Sequence, residues 1–238
     1  MNNSVFGRIP VLSSLKENAV KELYVLNSFN DEKILELAKE KKIKINFCSK
    51  KELDNLVKGN HQGVVAKTRP FEYSSLETLL KAAKTQQNPC ILILDEINDP
   101  RNFGAIIRIA DAYKVDGILI KKRRQVEVTP TVIKTATGAQ NYVPIAQVAN
   151  LNNAIDLLKR EGFWIVATDS SANLNHSDLK YDFPVALIIG SEGFGISKLL
   201  LKNADYIVKI PMYGHVNSLN ASVACGIILD QIRTKQWL

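Results

Sequence analysis

Five short stretches in the last two thirds of the chain are apolar on every successive residue: CILIL (90–94), GILI (117–120), FWIVA (163–167), VALIIG (185–190) and DYIVKI (205–210, its apolar core flanked by Asp205 and Lys209). Side chains alternate between the two faces of a strand, so an unbroken apolar run implies a strand covered on both sides. Helical stretches separate these runs, at roughly 101–113, 130–137, 152–161, 197–203 and 218–234. Strands alternating with helices in this way specify an α/β fold with a parallel sheet between two helical layers. In such sheets ligands bind beyond the carboxyl ends of the strands, so the loops after residues 94, 168, 189 and 210 are where chemistry is expected.

The first 70 residues have a different texture. A helix over 10–17, a strand over 23–26, an Asp31-capped helix carrying Ile34, Leu35, Leu37 and Ala38, a strand over 43–47, a helix opened by Ser49 and a strand over 63–68 make a small α/β unit. Between Arg69-Pro70 and the polar TQQNP segment lies one amphipathic helix, capped by Ser75 and carrying Leu76, Leu79, Leu80 and Ala83. It reads as a connector. The expected organisation is a domain over 1–70, a linker over 71–89 and a second domain over 90–238.

The formal net charge of +7 is concentrated in the N-terminal third, where residues 1–70 hold 13 Lys and Arg against 8 Asp and Glu. That balance favours a polyanionic partner. Cys48, Cys90 and Cys225 are widely spaced and His61, His176 and His215 are scattered, so neither a disulfide framework nor a metal site is expected. No apolar run approaches the ~20 residues that span a bilayer, and MNNSVFGRIPVLSSLKE lacks the features of a secretory signal. The expected location is cytoplasmic, without membrane attachment.

Three loops carry residues that plain structure does not require. DEINDPRNFGAIIRIADAY (95–113) opens a helix with Asp99 and Pro100, and places Arg108 on the side of Gly104, Ala105 and Ala112, small neighbours that leave room for a ligand or a second chain. GSEGFGIS (190–197) follows an apolar strand. Its G-x-x-G-x-G order is not that of a dinucleotide loop, no P-loop is present, and Glu192 is an acceptor that a simple turn does not need, whereas Ser197 caps the next helix. IPMYGHVNSLNASVACGIIL (210–229) runs from a strand end into a helix capped by Asn217 or Ser218, with Ala221, Ser222, Ala224 and Gly226 on its early turns.

These three segments, in this order and spacing, resemble the SpoU or TrmH-type RNA ribose 2′-O-methyltransferases of the SPOUT superfamily, over residues 86–238. The GRIPVLSSLKE and HQGVVAKTRPFEY segments are similar to the ribosomal-protein-like RNA-binding domain of bacterial members that methylate a guanosine of 23S ribosomal RNA. The resemblance implies a knotted parallel-sheet domain, its deep trefoil knot being a rare exception among folds, preceded by a small α/β RNA-binding domain. It implies S-adenosylmethionine as cofactor, meeting Thr168, Gly190, Ile210 and Leu219, and catalytic positions at Asn102, Arg108, Glu192, Ser218 and Asn220. It further implies a homodimer with the active site near the interface. A transfer RNA guanosine is the rival substrate, and a non-catalytic ribosome-associated RNA-binding protein is the rival class.

Methyl transfer from a sulfonium needs little activation of the electrophile, so the burden falls on orienting the ribose oxygen and removing its proton. The resemblance makes Arg108 the base, yet a neutral guanidinium near pH 7 costs roughly 7 to 9 kcal/mol. The sequence reading therefore has Arg108 binding the neighbouring phosphate and polarising the 2′-oxygen, with Glu192 and Asn102 fixing its plane and Ser218 and Asn220 positioning the ribose or the cofactor. Glu192 is the alternative proton acceptor. RNA contacts are expected at Arg8 and at an exposed turn with His61 and Gln62. They are expected also along the KKRR run of Lys121, Lys122, Arg123 and Arg124. Lys41, Lys42 and Lys44 are either part of that grip or a solvated face.

Overall fold

A computed structural model describes residues 4–237, in two compact units, one ending at Glu72 and the other starting at Tyr73. The first contains β1 (Ser4–Phe6), α1 (Arg8–Lys16), β2 (Val20–Leu26), α2 (Glu32–Glu40), β3 (Lys44–Cys48), α3 (Lys50–Leu56) and β4 (Val64–Thr68). Its sheet has the order β1-β4-β2-β3, with β4 antiparallel to both neighbours and β2 parallel to β3. Local chemistry sets the boundaries. Asp31 accepts from the Ile34 N–H, and Ser49 forms a reciprocal capping box with Glu52. Val11, Leu15, Leu23, Val25, Ile34 and Ala38 make the core. The strand β1 was not legible because three residues carry no periodicity.

The second unit contains α4 (Leu76–Ala83), β5 (Cys90–Asp95), α5 (Pro100–Ala112), β6 (Gly117–Lys121), α6 (Pro130–Ala136), β7 (Ile145–Val148), α7 (Leu151–Arg160), β8 (Trp164–Thr168), β9 (Leu174–Asn175), β10 (Val185–Gly190), α8 (Lys198–Lys202), β11 (Tyr206–Lys209) and α9 (Ala221–Trp237). The sheet order is β7-β6-β5-β10-β8-β11-β9, and every neighbouring pair is parallel. All six residues of β5 and the first five of β10 are buried, as a sheet covered on both faces requires. The amphipathic helix expected in a connector instead packs Leu79, Leu80 and Ala83 into the core beside Ile91, Leu119 and Ala146. Its apolar stripe is what draws the 73–89 segment into this unit.

Two readings change. A Cβ on Gly104 would lie 2.5 Å from Thr135 Cβ and 2.7 Å from the Val132 carbonyl oxygen, so this glycine seats α6 against α5 and makes no room for a ligand or second chain. The last helix starts later than expected, and its cap is neither Asn217 nor Ser218 but Asn220. Asn220 Oδ1 accepts from the N–H groups of Ser222 and Val223 and from the Ser222 hydroxyl.

Candidate active site

The carboxyl edge of the second unit's sheet carries a cleft of about 400 Å³, within the range typical of small-molecule sites. Thr168 at the end of β8, Gly190 at the end of β10, Ile210 after β11 and Leu219 before α9 all line it. These are the four positions expected to meet a cofactor. Ala221, Ala224 and Ile228 of α9 close one side with apolar surface, and Glu192 and Ser218 complete the rim. Both Glu192 and Ser218 are exposed.

The turn after β10 is built by close backbone contact. Ser191 and Gly195 exchange two backbone hydrogen bonds, at 2.9 and 3.2 Å, and Gly195 adopts a left-handed φ of +66° that suits glycine. A Cβ on Gly190 would lie 2.3 to 2.5 Å from Gly195 and Ile196 backbone atoms, so the turn folds directly over that residue. The close approach is made by the chain to itself. Ser197 precedes α8, but its side chain makes no capping bond, contrary to the expected cap. Its N–H donates instead to Asp95 Oδ2 at 2.8 Å.

Three of the expected catalytic residues meet. Asn102, buried on the first turn of α5, donates from Nδ2 to Glu192 Oε1 at 2.7 Å. Asn220 Nδ2 donates both to Asn102 Oδ1 at 2.9 Å and to the same Glu192 oxygen. Because Asn220 Oδ1 also caps α9, this network ties together the three loops singled out in the sequence. Glu192 Oε2 has no hydrogen bond among the described residues. Ser218 lines the cleft but joins no part of the network.

Arg108 stands apart. It is exposed and makes no hydrogen bond or ion pair among the described residues, so Glu192 and Asn102 do not fix its plane as expected. Helix geometry supplies the reason. Six residues separate Asn102 from Arg108, which amounts to a rise of about 9 Å and a turn to about 120° away from it. The two side chains cannot share a face of α5.

The expected RNA contacts divide in the same way. His61 is buried, not exposed, with Nε2 3.1 Å from Asp54 Oδ1 and Nδ1 3.0 Å from the Gly63 N–H, an arrangement that assigns the proton to Nε2. Gln62 is exposed, although its Oε1 accepts from the Arg8 N–H at the start of α1. The Arg8 guanidinium lies over the Phe29 ring at 5.4 Å and 3.7 Å from Asp31, and remains half exposed. Lys121 turns inward to Asp95 and Glu96, whereas Lys122, Arg123 and Arg124 stay exposed beside a second cleft bordered by the start of α7. Lys41, read either as grip or as solvated face, is tied to Asn18 and the Lys16 carbonyl.

Asp95 and Arg233 escaped the sequence reading. Asp95 closes an apolar run and is almost wholly buried. Arg233 lies four residues after Leu229 and one after Ile232, on the buried stripe of α9, and that placement was the available signal.

A parallel sheet whose carboxyl-edge cleft is bordered by three networked loops, preceded by a separate small α/β unit, defines a two-domain α/β enzyme. The profile of the SpoU rRNA Methylase family matches residues 89–230, and that described as RNA 2′-O ribose methyltransferase substrate binding matches residues 4–74. The chain belongs to the SpoU family, and is by family an RNA 2′-O-ribose methyltransferase. It is 42% identical to the TrmH family tRNA/rRNA methyltransferase YacO of Bacillus subtilis (strain 168), over 98% of this chain and 95% of that protein. Among solved structures, the AdoMet-bound rRNA methyltransferase from Sinorhizobium meliloti aligns with a TM-score of 0.76 at 26% identity, over 98% of this chain and 87% of that one. The TrmH/SpoU tRNA modifying enzyme of A. aeolicus aligns at 0.58 and 31% identity, over 68% of this chain and 82% of that one. No helix among the described residues is long and apolar enough to cross a membrane.

Proposed function

We propose that this protein methylates the ribose 2′-hydroxyl of a guanosine in 23S ribosomal RNA, in the cytoplasm, with S-adenosylmethionine held in the cleft at Thr168, Gly190, Ile210 and Leu219. The observation that carries this reading is the convergence of Glu192 with Asn102 and Asn220 at the rim of that cleft. The cleft suits the cofactor: an apolar wall from Ile210, Leu219, Ala224 and Ile228 faces polar groups of Thr168 and Ser191. The choice of ribosomal over transfer RNA is supported by coverage, since the S. meliloti rRNA enzyme aligns along nearly the whole chain and the A. aeolicus tRNA enzyme along about two thirds. The knotted threading belongs to the same reading, supported by a strand order in which β10 lies between β5 and β8.

When bound, the cofactor supplies a methyl group on a sulfonium whose leaving thioether is neutral. The chain's own residues then orient the ribose and take its proton. With Oε1 fixed by two amide groups, Glu192 presents Oε2 to accept the proton of the 2′-hydroxyl. Ser218 on the same rim positions the sugar. Arg108 binds the adjacent phosphate and polarises the oxygen. Standing about 120° round α5 from Asn102, it favours a homodimer in which it faces a second copy's cleft.

Arg108→Lys tests the role of the planar guanidinium. Loss of a charge-assisted bidentate contact is worth about 1.5–3 kcal/mol, so methyl incorporation into ribosomal RNA should fall roughly 10- to 100-fold. A rate close to wild type removes Arg108 from the reaction. Lys122, Arg123 and Arg124 are proposed to hold RNA phosphates, together with Arg8 and Gln62 of the first unit. Replacing Lys122, Arg123 and Arg124 by Gln should reduce the slope of log affinity against log salt by about 2 to 3. An unchanged slope would assign them to the solvated surface.

A further inference from the structure

Asp95 ends β5, beside the central strand β10 and level with its Gly190 in the parallel register. Its carboxylate is 2% exposed. Oδ2 accepts a hydrogen bond from the Ser197 N–H at 2.8 Å, and Oδ1 is held by charge alone, in an ion pair with Lys121 Nζ 2.6 Å away at the end of β6. Lys121 also reaches Glu96 at 3.1 Å. A carboxylate this deeply buried is retained only where its partners are fixed, because removing either leaves a charge without solvent.

Ser197 is the first residue beyond the Gly190–Ile196 turn. That turn is anchored at one end by the sheet, at Gly190. At the other end its exposed residues, Glu192 to Gly195, have no packed side chains beneath them until Ile196 and the Ser197 N–H. The Asp95 bond thus fixes the backbone at the far end of the turn, beside the buried Ile196, while Asn102 and Asn220 hold the Glu192 side chain at its middle. Lys121 sets the carboxylate's orientation, which accounts for its departure from the exposed Lys122, Arg123 and Arg124.

We propose that Asp95, oriented by Lys121, is a positioning residue that holds the turn carrying Glu192 in the geometry that binds the cofactor. This rests on the reading of the cleft as the S-adenosylmethionine site. Asp95 does not line the cleft and acts through Ser197. The geometry also orders the variants: Asp95→Asn keeps an acceptor for the Ser197 N–H, and Asp95→Ala removes it.

The test combines amide hydrogen exchange of the cofactor-free protein with calorimetric titration of S-adenosylmethionine. In Asp95→Ala, amides 191–197 should exchange roughly 10- to 100-fold faster, and the cofactor Kd should rise by a similar factor, with a smaller fall in kcat at saturating cofactor, where the bound cofactor re-forms the turn. Asp95→Asn should fall between the two. Lys121→Met should raise both quantities, and the double variant Asp95→Asn, Lys121→Met should cost less than the sum of the singles. Wild-type exchange at 191–197 together with wild-type cofactor affinity in Asp95→Asn overturns the proposal, and that variant decides the matter if Asp95→Ala does not fold. Should wild-type protein itself bind no S-adenosylmethionine, the cleft reading fails, and exchange at 191–197 alone then judges the positioning role.

Discussion

Gly190→Ala should leave the protein folded and weaken S-adenosylmethionine binding by at least about 100-fold, the loss that a displacement on the order of 1 Å can produce in a preorganised site. Gly190 does not occupy a backbone conformation reserved for glycine, so alanine meets no conformational penalty there. The whole effect is contact. The added Cβ would sit 2.3 Å from the Gly195 carbonyl carbon, 2.4 Å from its oxygen and 2.5 Å from the Ile196 nitrogen. Carbon atoms in contact prefer about 3.5–4.0 Å, and none of these backbone atoms can rotate aside as a side-chain tip would. The strand cannot yield, because five of its six residues are buried between β5 and β8. The turn must therefore lift, carrying Glu192 away from Asn102 and Asn220. Calorimetric titration with the cofactor, beside a thermal melt, checks this. Affinity within about threefold of wild type would mean that the turn does not shape the site.

The contrast between Gly190 and Arg108 shows what a sequence discloses about such a site. β5, β6, β8 and β10 were legible because burial on both faces keeps polar residues out of their middles, and β11, with only Val208 buried, through its apolar YIV run. β7 and β9 were not, since β7 lies at the sheet edge with only Ile145 and Ala146 buried, and β9 has two residues. The positions lining the cleft were legible through family resemblance, which carries loop positions across as a set. What resemblance could not convey was which side chains touch. Asn102 and Arg108 stand in one motif, and simple helix geometry parts them. Lys121 reads as the first residue of a basic surface run, yet β6 brings it beside Asp95, a carboxylate 26 positions earlier. His61 likewise belongs to a polar turn by composition and to a buried hydrogen-bond pair by structure. In each case the contacts of the fold, near in sequence for His61 and distant for Lys121, override the reading by composition.

Arg233→Met should lower the stability of the second unit by about 3–5 kcal/mol, the range for breaking a buried ion pair from one side. Its side chain is 4% exposed, so solvent does not screen the interaction. The guanidinium has five N–H donors, and five bonds use them: Nε to the Tyr113 carbonyl, Nη1 to the Asn88 carbonyl and Gln236 Oε1, and Nη2 to the Lys114 carbonyl and Asp116 Oδ2. Methionine fills similar volume but answers none of these acceptors. Asp116 keeps only the Cys90 N–H at 2.7 Å, and three partly buried carbonyls lose their donor. Both tryptophans, Trp164 and Trp237, lie in the second unit, so their fluorescence during urea unfolding reports this unit without interference from the first. A loss below about 1 kcal/mol, the value of an ordinary surface pair, would show the clamp to be dispensable. Arg233 lies nine residues beyond Ala224, about 14 Å along α9, whereas Ala221, Ala224 and Ile228 face the cleft. Cofactor affinity measured well below the unfolding transition should therefore stay within about twofold of wild type, because a helix held by its apolar stripe keeps its early turns in place when its far end is loosened.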